Sequence, residues 1–157
     1  MSPETTFAEL FHEDAVRTGV RVATKDDLLT QLVDIAVAGG KLQEAQRASI
    51  LAAVKEREKL GSTGIGMGIG IPHVKVDGVT EVVTAVAVCT SKLDFNAVDG
   101  EPCDVFFLLV SPKAHAERHL QVLRWISRLA RNPDFVRFLR NAKNSADVVS
   151  LLREMGE

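Results

Sequence analysis

Tyrosine is absent from this chain of 157 residues, tryptophan occurs once, and aromatic side chains make up only 5% of it. With so few ring faces for unpaired bases to stack on, a single-stranded nucleic-acid platform is not expected. A surplus of positive charge is missing too. Lys and Arg number 19 against 21 Asp and Glu, for a formal net charge of -2. Phosphate-backbone binding usually leaves a basic footprint, so nucleic acid is not an expected partner. Cysteine is limited to Cys89 and Cys103, which do not form a CxxC pair. Both lie in apolar, strand-like surroundings, where buried reduced thiols are expected rather than a disulfide framework. No apolar run approaches the roughly 20 residues of a spanning helix. The opening "MSPETTFAELFHEDAV" is acidic and lacks the apolar stretch of a secretory signal. A cytoplasmic protein without membrane insertion is expected.

The chain does have a substantial apolar fraction, 46%, with 25% charged residues, ordinary for one globular domain with a real core. A short helical or irregular lead is expected to end in an extended piece, "VRVA" (20–23). Thr24 offers a helix N-cap with Asp27 three residues on, and Leu28, Leu32, Ile35 and Ala36 keep helical spacing up to Gly39-Gly40. A second helix is expected over 41–58, with Leu42, Ala45, Ile50 and Val54 on one side. "TEVVTAVAVCTS" and "CDVFFLLVSP" read as buried strands, separated by a turn-rich stretch with Asp99-Gly100. Three further helices follow. The first, over 114–132, has Leu120, Leu123, Ile126 and Leu129-Ala130 as its core stripe and is broken by Pro133. The last is capped by Ser145. The expected fold class is α/β: a single domain with a small mixed sheet covered by helices.

The richest local pattern is "GSTGIGMGIGIPHVKV", where Gly61, Gly64, Gly66, Gly68 and Gly70 precede Pro72-His73. It is not a Walker A loop, because no Lys follows a glycine in register. It is not a dinucleotide fingerprint, because Ile69 stands where the third glycine belongs. Short strands joined by a turn suit it, with or without a ligand. His73 follows Pro72, which disfavours helix just before it. Such a histidine can be a general base, a metal ligand, a covalent nucleophile, or simply a surface residue. His115 and His119 stand four apart on an expected helix, so a zinc site with His73 is conceivable, although no HExxH motif is present. Arg57, in the charge run before the glycines, gains interest only if the site handles phosphate.

Read together, "REKLGSTGIGMGIGIPH", "LDFNAVDGEPCDVFFLLVSP", "HLQVLRWISRLARNPDFVRFLRNA" and "TKDDLLTQLVDIAV" resemble the enzyme IIA domains of the bacterial phosphotransferase system, fructose/mannitol type, and are nearest its nitrogen-regulatory branch. The resemblance runs from about Val20 to the end, within a single domain spanning 1–157 with its core over about 20–155. It implies a mixed sheet with helices on both faces. It also implies a phosphotransferase component, without cofactor or metal, that carries a phosphoryl group on a histidine.

By this resemblance His73 is the acceptor of the phosphoryl group, supplied by an HPr-like phosphocarrier protein. His119 is the second histidine beside it, and Arg57 the arginine ahead of the glycines. Ser62, Thr63 and Gly64 are candidates for phosphate-site support through hydroxyl and backbone donors. The implied downstream partner is a regulatory target protein, in a mainly regulatory use. The alternative is a IIB domain, in sugar transport. A binding module that is never phosphorylated and a histidine-ligated metal site are the readings from other classes. Met67, Gly70 and Val74 depart from the family's usual pattern, and Met67 and Val74 bear on the docking surface.

Overall fold

The fold is known from a computed structural model that describes residues 3–156; Met1, Ser2 and Glu157, the extremes of the chain, lie outside the described residues. After a 3-10 stretch over Pro3–Leu10 and a short turn at Glu13–Ala15, the first strand is β1, Val16–Val20. It lies earlier than the expected 20–23. Residues 21–23 are instead tied to the start of helix α1 (Lys25–Ala38): the Ala23 N–H donates to Asp27, and Gln31 Nε2 donates to the Arg21 carbonyl at 2.8 Å. The Thr24 cap is as expected, its hydroxyl accepting from the Asp27 N–H at 3.1 Å.

Helix α2 covers Arg47–Lys59, shorter than the expected 41–58. Gln43 and Gln46 form a reciprocal capping box around a 3-10 turn, Glu44–Gln46, so the chain enters the helix late. Leu42 is buried ahead of that turn, while Ala45 is exposed. The glycine stretch forms β2 (Gly64–Gly66) and β3 (Ile69–Gly70), an antiparallel pair, followed by β4 (His73–Val76). Two long strands, β5 (Val83–Leu93) and β6 (Cys103–Pro112), pair antiparallel at the centre. The sheet order is β1-β5-β6-β3-β2, with β4 also on β6; the β1–β5, β3–β6 and β4–β6 pairings are parallel. The sheet is therefore mixed, as expected.

Alternation along β6 divides the core in two. Phe106, Leu108 and Val110 face α1 and α2, together with Ala85 and Ala87 of β5. Val105, Phe107 and Leu109 face the second layer: α3 (Ala116–Ala130), α4 (Pro133–Arg140) and α5 (Ser145–Met155). Helices thus cover both faces. Each fully buried Leu or Phe side chain here contributes roughly 1.5–3 kcal/mol.

Two details differ from expectation. Leu120 is 44% exposed; the buried stripe of α3 is His119, Val122, Trp125, Ile126 and Ala130, with Leu123 and Leu129 at its margins. The 3.6-residue period through 119, 122, 126 and 130 leaves Leu120 one step off the face. Helix α5 is capped by Asn144, whose Oδ1 accepts from the Asp147 N–H at 2.9 Å, because the Ser145 hydroxyl donates instead to the Val16 carbonyl. Pro133 both ends α3 and opens α4, where its missing N–H costs nothing. Both thiols are free, Cys103 buried and Cys89 half-buried. Among the described residues no helix is long and apolar enough to cross a membrane.

Candidate functional site

His73 opens β4, directly across from Leu109 of β6. Val74 and Val76 pack toward the α1–α2 core, so alternation turns His73 and Lys75 to the other face, toward α3. The peptide just before it is pinned, the Pro72 carbonyl accepting from the Leu109 N–H at 3.0 Å. The His73 ring is pinned as well: Nδ1 lies 2.6 Å from the Ile71 carbonyl oxygen. A carbonyl can only accept, so Nδ1 carries the proton and Nε2 is left with a free lone pair. Burial, with the nearby Arg57 cation adding to it, holds the His73 pKa below the usual histidine value, although the Ile71 carbonyl pulls the other way. At neutral pH the ring is neutral and nucleophilic.

His119 faces inward from the second turn of α3 and is only 4% exposed. Its Nδ1 lies 2.7 Å from Ser111 Oγ on β6. Its ring centroid is 5.5 Å from that of His73, with the planes at 55°. Burial, then the charge that His73 would carry, then Lys75 push its pKa down to about 4. Arg57 sits in the last turn of α2, half-buried, its Nη1 donating to the Gly61 carbonyl at 3.1 Å. The three residues border one cavity of about 990 Å³, whose rim includes Leu60, Lys75 and Leu120. Leu60, 84% exposed, and Leu120 give it an apolar lip.

Ser62, Thr63 and Gly64 do not line that cavity. The Ser62 hydroxyl donates to the Phe95 carbonyl at 2.6 Å and accepts from the Gly64 N–H at 3.0 Å. Thr63 is buried and gives both its N–H (3.0 Å) and its hydroxyl (2.6 Å) to Glu58. Gly64 lies against Ala97: a Cβ there would fall 2.8 Å from the Ala97 Cα. At Gly70 a Cβ would fall 2.8 Å from the Phe106 ring. Close packing therefore explains these two glycines. Met67 is at the tip of the β2–β3 hairpin with φ 61°, its carbonyl held by Arg140 at 2.8 Å, outside the cavity lining. Val74 reaches the cavity wall.

His115 is exposed in the turn before α3 and borders a separate cavity with His12, Lys41 and Arg118. A three-histidine cluster is thus not assembled, and among the described residues no group of three or more His, Cys, Asp or Glu is arranged to hold a metal.

Three further residues contribute: Glu58, Lys25 and Ser111. Glu58 is a buried carboxylate that accepts from Thr63 and pairs with Lys25 at 2.8 Å; the Lys25 ammonium also lies 4.3 Å from the Phe95 ring centroid. The Thr63 carbonyl then accepts from the Ile71 N–H at 2.9 Å, and Ile71 in turn holds His73. A chain of hydrogen bonds thus runs from Glu58 to the His73 ring. Ser111 is the third. Its sequence signal is a polar residue closing the apolar run from Val105 to Val110. Glu58 gave none, because in "KEREK" every charge looks solvated.

Comparison with known proteins gives the family and the fold. Residues 9–155 match the family described as phosphoenolpyruvate-dependent sugar phosphotransferase system, EIIA 2. The chain is 37% identical over 135 residues to a fructose-specific EIIA component of the phosphotransferase system from Haloferax volcanii, covering 86% of each. It is 37% identical over 119 residues to a nitrogen regulatory protein from Pseudomonas aeruginosa, covering 76% of each. Among solved structures, the nitrogen regulatory protein IIA-Ntr from Neisseria meningitidis superposes with a TM-score of 0.85 at 25% identity, covering 94% of this chain and 99% of that one.

Proposed function

The chain belongs to the EIIA 2 family of the phosphoenolpyruvate-dependent sugar phosphotransferase system, and from that premise we propose that it accepts a phosphoryl group on His73 Nε2 from an HPr-like phosphohistidine carrier and acts as a phosphorylation-dependent regulator. The observation that carries this reading is the bond from His73 Nδ1 to the Ile71 carbonyl, which leaves Nε2 as the nucleophile in a cavity shared with His119 and Arg57.

The lone pair of Nε2 attacks phosphorus, and a new N–P bond forms. The N–P bond to the donor imidazole breaks, and its electron pair returns to that ring. No proton has to leave His73, because Nδ1–H stays on the Ile71 carbonyl throughout. Charge spreads over three oxygens in such a transfer, so catalysis is mostly positioning plus electrostatics. Arg57 and a His119 N–H supply donors on the cavity side. Leu60 and Leu120 offer apolar surface to the docking protein around the reacting atoms.

Regulation of the nitrogen branch is supported by the likeness to nitrogen regulatory proteins in sequence and fold. A second reading, passage of the phosphoryl group to a IIB domain in sugar transport, is supported by the equal identity to the fructose-specific relative. One experiment addresses the common step. The protein is incubated with phosphoenolpyruvate, enzyme I and the carrier protein, and acid-labile phosphate is measured. Uptake by wild type and none by His73→Ala is expected. No uptake by wild type, or equal uptake by the variant, would overturn the carrier reading. Chase of the labelled protein with a fructose-type IIB domain separates the two uses: loss of label favours transport, retention favours regulation.

A further inference from the structure

Ser111 is a fully buried hydroxyl in an otherwise apolar stretch of β6. It shares a strand face with Val105, Phe107 and Leu109, the face on which α3 packs, and stands in register with Lys75 of β4. Among the described residues its hydroxyl has one partner, His119 Nδ1 at 2.7 Å. Two proton placements fit that distance. If Nδ1–H donates to Oγ, the serine O–H is left buried without an acceptor, which folded interiors avoid. If the serine O–H donates to Nδ1, both groups are satisfied, and the ring proton of neutral His119 must lie on Nε2.

We propose that Ser111 is a positioning residue, whose hydroxyl donates to His119 Nδ1, fixes the Nε2–H tautomer and so gives the phosphoryl group on His73 a hydrogen-bond donor. This rests on the carrier reading of His73. The two histidines are then complementary. His73 donates through Nδ1 to Ile71 and offers a lone pair. His119 accepts through Nδ1 from Ser111 and offers an N–H. In the transfer the lone pair forms the N–P bond while the N–H bonds to a phosphoryl oxygen, with no proton exchanged between the rings. The other tautomer would turn a second lone pair toward a dianion and repel it. Ser111 is well placed to hold the ring still, because β6 is clamped between β4 and β5 and its next residue is Pro112.

Nitrogen-15 spectra of the imidazoles test this without any phosphoryl transfer. Wild-type His119 is expected as the Nε2–H tautomer, with a hydrogen-bonded Nδ1. In Ser111→Ala the Nδ1 resonance should move toward that of an unbonded ring nitrogen, and Ser111→Thr should keep it near wild type. Initial rates of phosphoryl uptake should fall about tenfold in Ser111→Ala and Ser111→Val, and stay within about twofold in Ser111→Thr. Thr and Val have nearly equal volumes, so a packing effect would move both alike. The inference is overturned by an Nδ1–H tautomer in wild type, by an unmoved Nδ1 resonance in Ser111→Ala, or by equal rates for Thr and Val. Complete lack of uptake by wild type overturns the carrier reading instead, since the nitrogen spectra do not depend on it.

Discussion

The rings of His73 and His119 face each other with centroids 5.5 Å apart, one on an edge strand and one on a helix from the opposite layer. Protonating both at once would place two cations in a half-buried seam, and burial already disfavours either charge. The pair is therefore neutral in the folded protein near pH 7, and its titration is linked to stability.

The sign follows from the two states. His119 titrates near 4 when folded, against 6.5 for an ordinary histidine. Below pH 6.5 the unfolded chain binds a proton that the folded one refuses. Stability is full above that value and declines as pH falls toward 4, by about 3 kcal/mol from this residue at most. Urea midpoints at pH 7.5 and pH 5 should therefore differ more for wild type than for His119→Gln. Equal differences would show that His119 is not the group responsible.

Phosphorylation should reverse this. A dianion on His73 Nε2 lies beside His119, and an opposite charge at such range raises a histidine pKa by about 1–3 units. Proton NMR titration of His119 before and after phosphoryl loading should show the rise. A lower or unchanged value would mean that the phosphoryl group points away from His119.

Arg57 offers a test that separates chemistry from folding. Among the described residues its guanidinium makes one hydrogen bond, to the nearby Gly61 carbonyl, and the side chain is only partly buried. Arg57→Ala is expected to slow phosphoryl uptake at least tenfold, on the order of one charge-assisted bond in the transition state, while stability changes by less than about 0.5 kcal/mol. A large fall in thermal midpoint would instead make Arg57 structural.

Much of this was legible in the sequence for a physical reason. Near-continuous apolar runs mark β5 and β6 as strands buried on both faces, and a 3.6-residue period marks the buried side of α1. Pro72-His73 after a glycine run pointed to the histidine that the structure places on the cavity with His119 and Arg57. What was hidden depends on contacts distant in sequence. Thr63 hydrogen-bonds Glu58 rather than reaching the cavity, and Gly64 is small because Ala97 presses on it. Leu120 reads as core by type, yet the register of α3 turns His119 inward and Leu120 out. Strand β1 was misplaced because both 16–20 and 20–23 are β-branched enough, and the bonds from Asp27 and Gln31 that decide between them come from the next helix.

The chain of bonds from Glu58 through Thr63 and Ile71 to His73 gives the last prediction. Glu58 is only 7% exposed and satisfies three donors: the Thr63 N–H, the Thr63 hydroxyl and Lys25. Removing one partner of a buried pair leaves the other charge uncompensated and costs about 3–5 kcal/mol when burial is complete. Lys25 is a quarter exposed, so Glu58→Ala should cost toward the lower end, about 3 kcal/mol, by chemical denaturation. Glu58→Gln keeps the shape and can still accept from Thr63, but loses the ion pair, so about 1–2 kcal/mol is expected. If the bond chain also orients the acceptor, Glu58→Gln should slow phosphoryl uptake under conditions where it is fully folded, whereas Lys25→Met, which leaves Thr63 bonded to Glu58, should slow it less. Equal rates in the two variants would confine Glu58 to stability and leave the Pro72 and Leu109 pairing as what holds His73 in place.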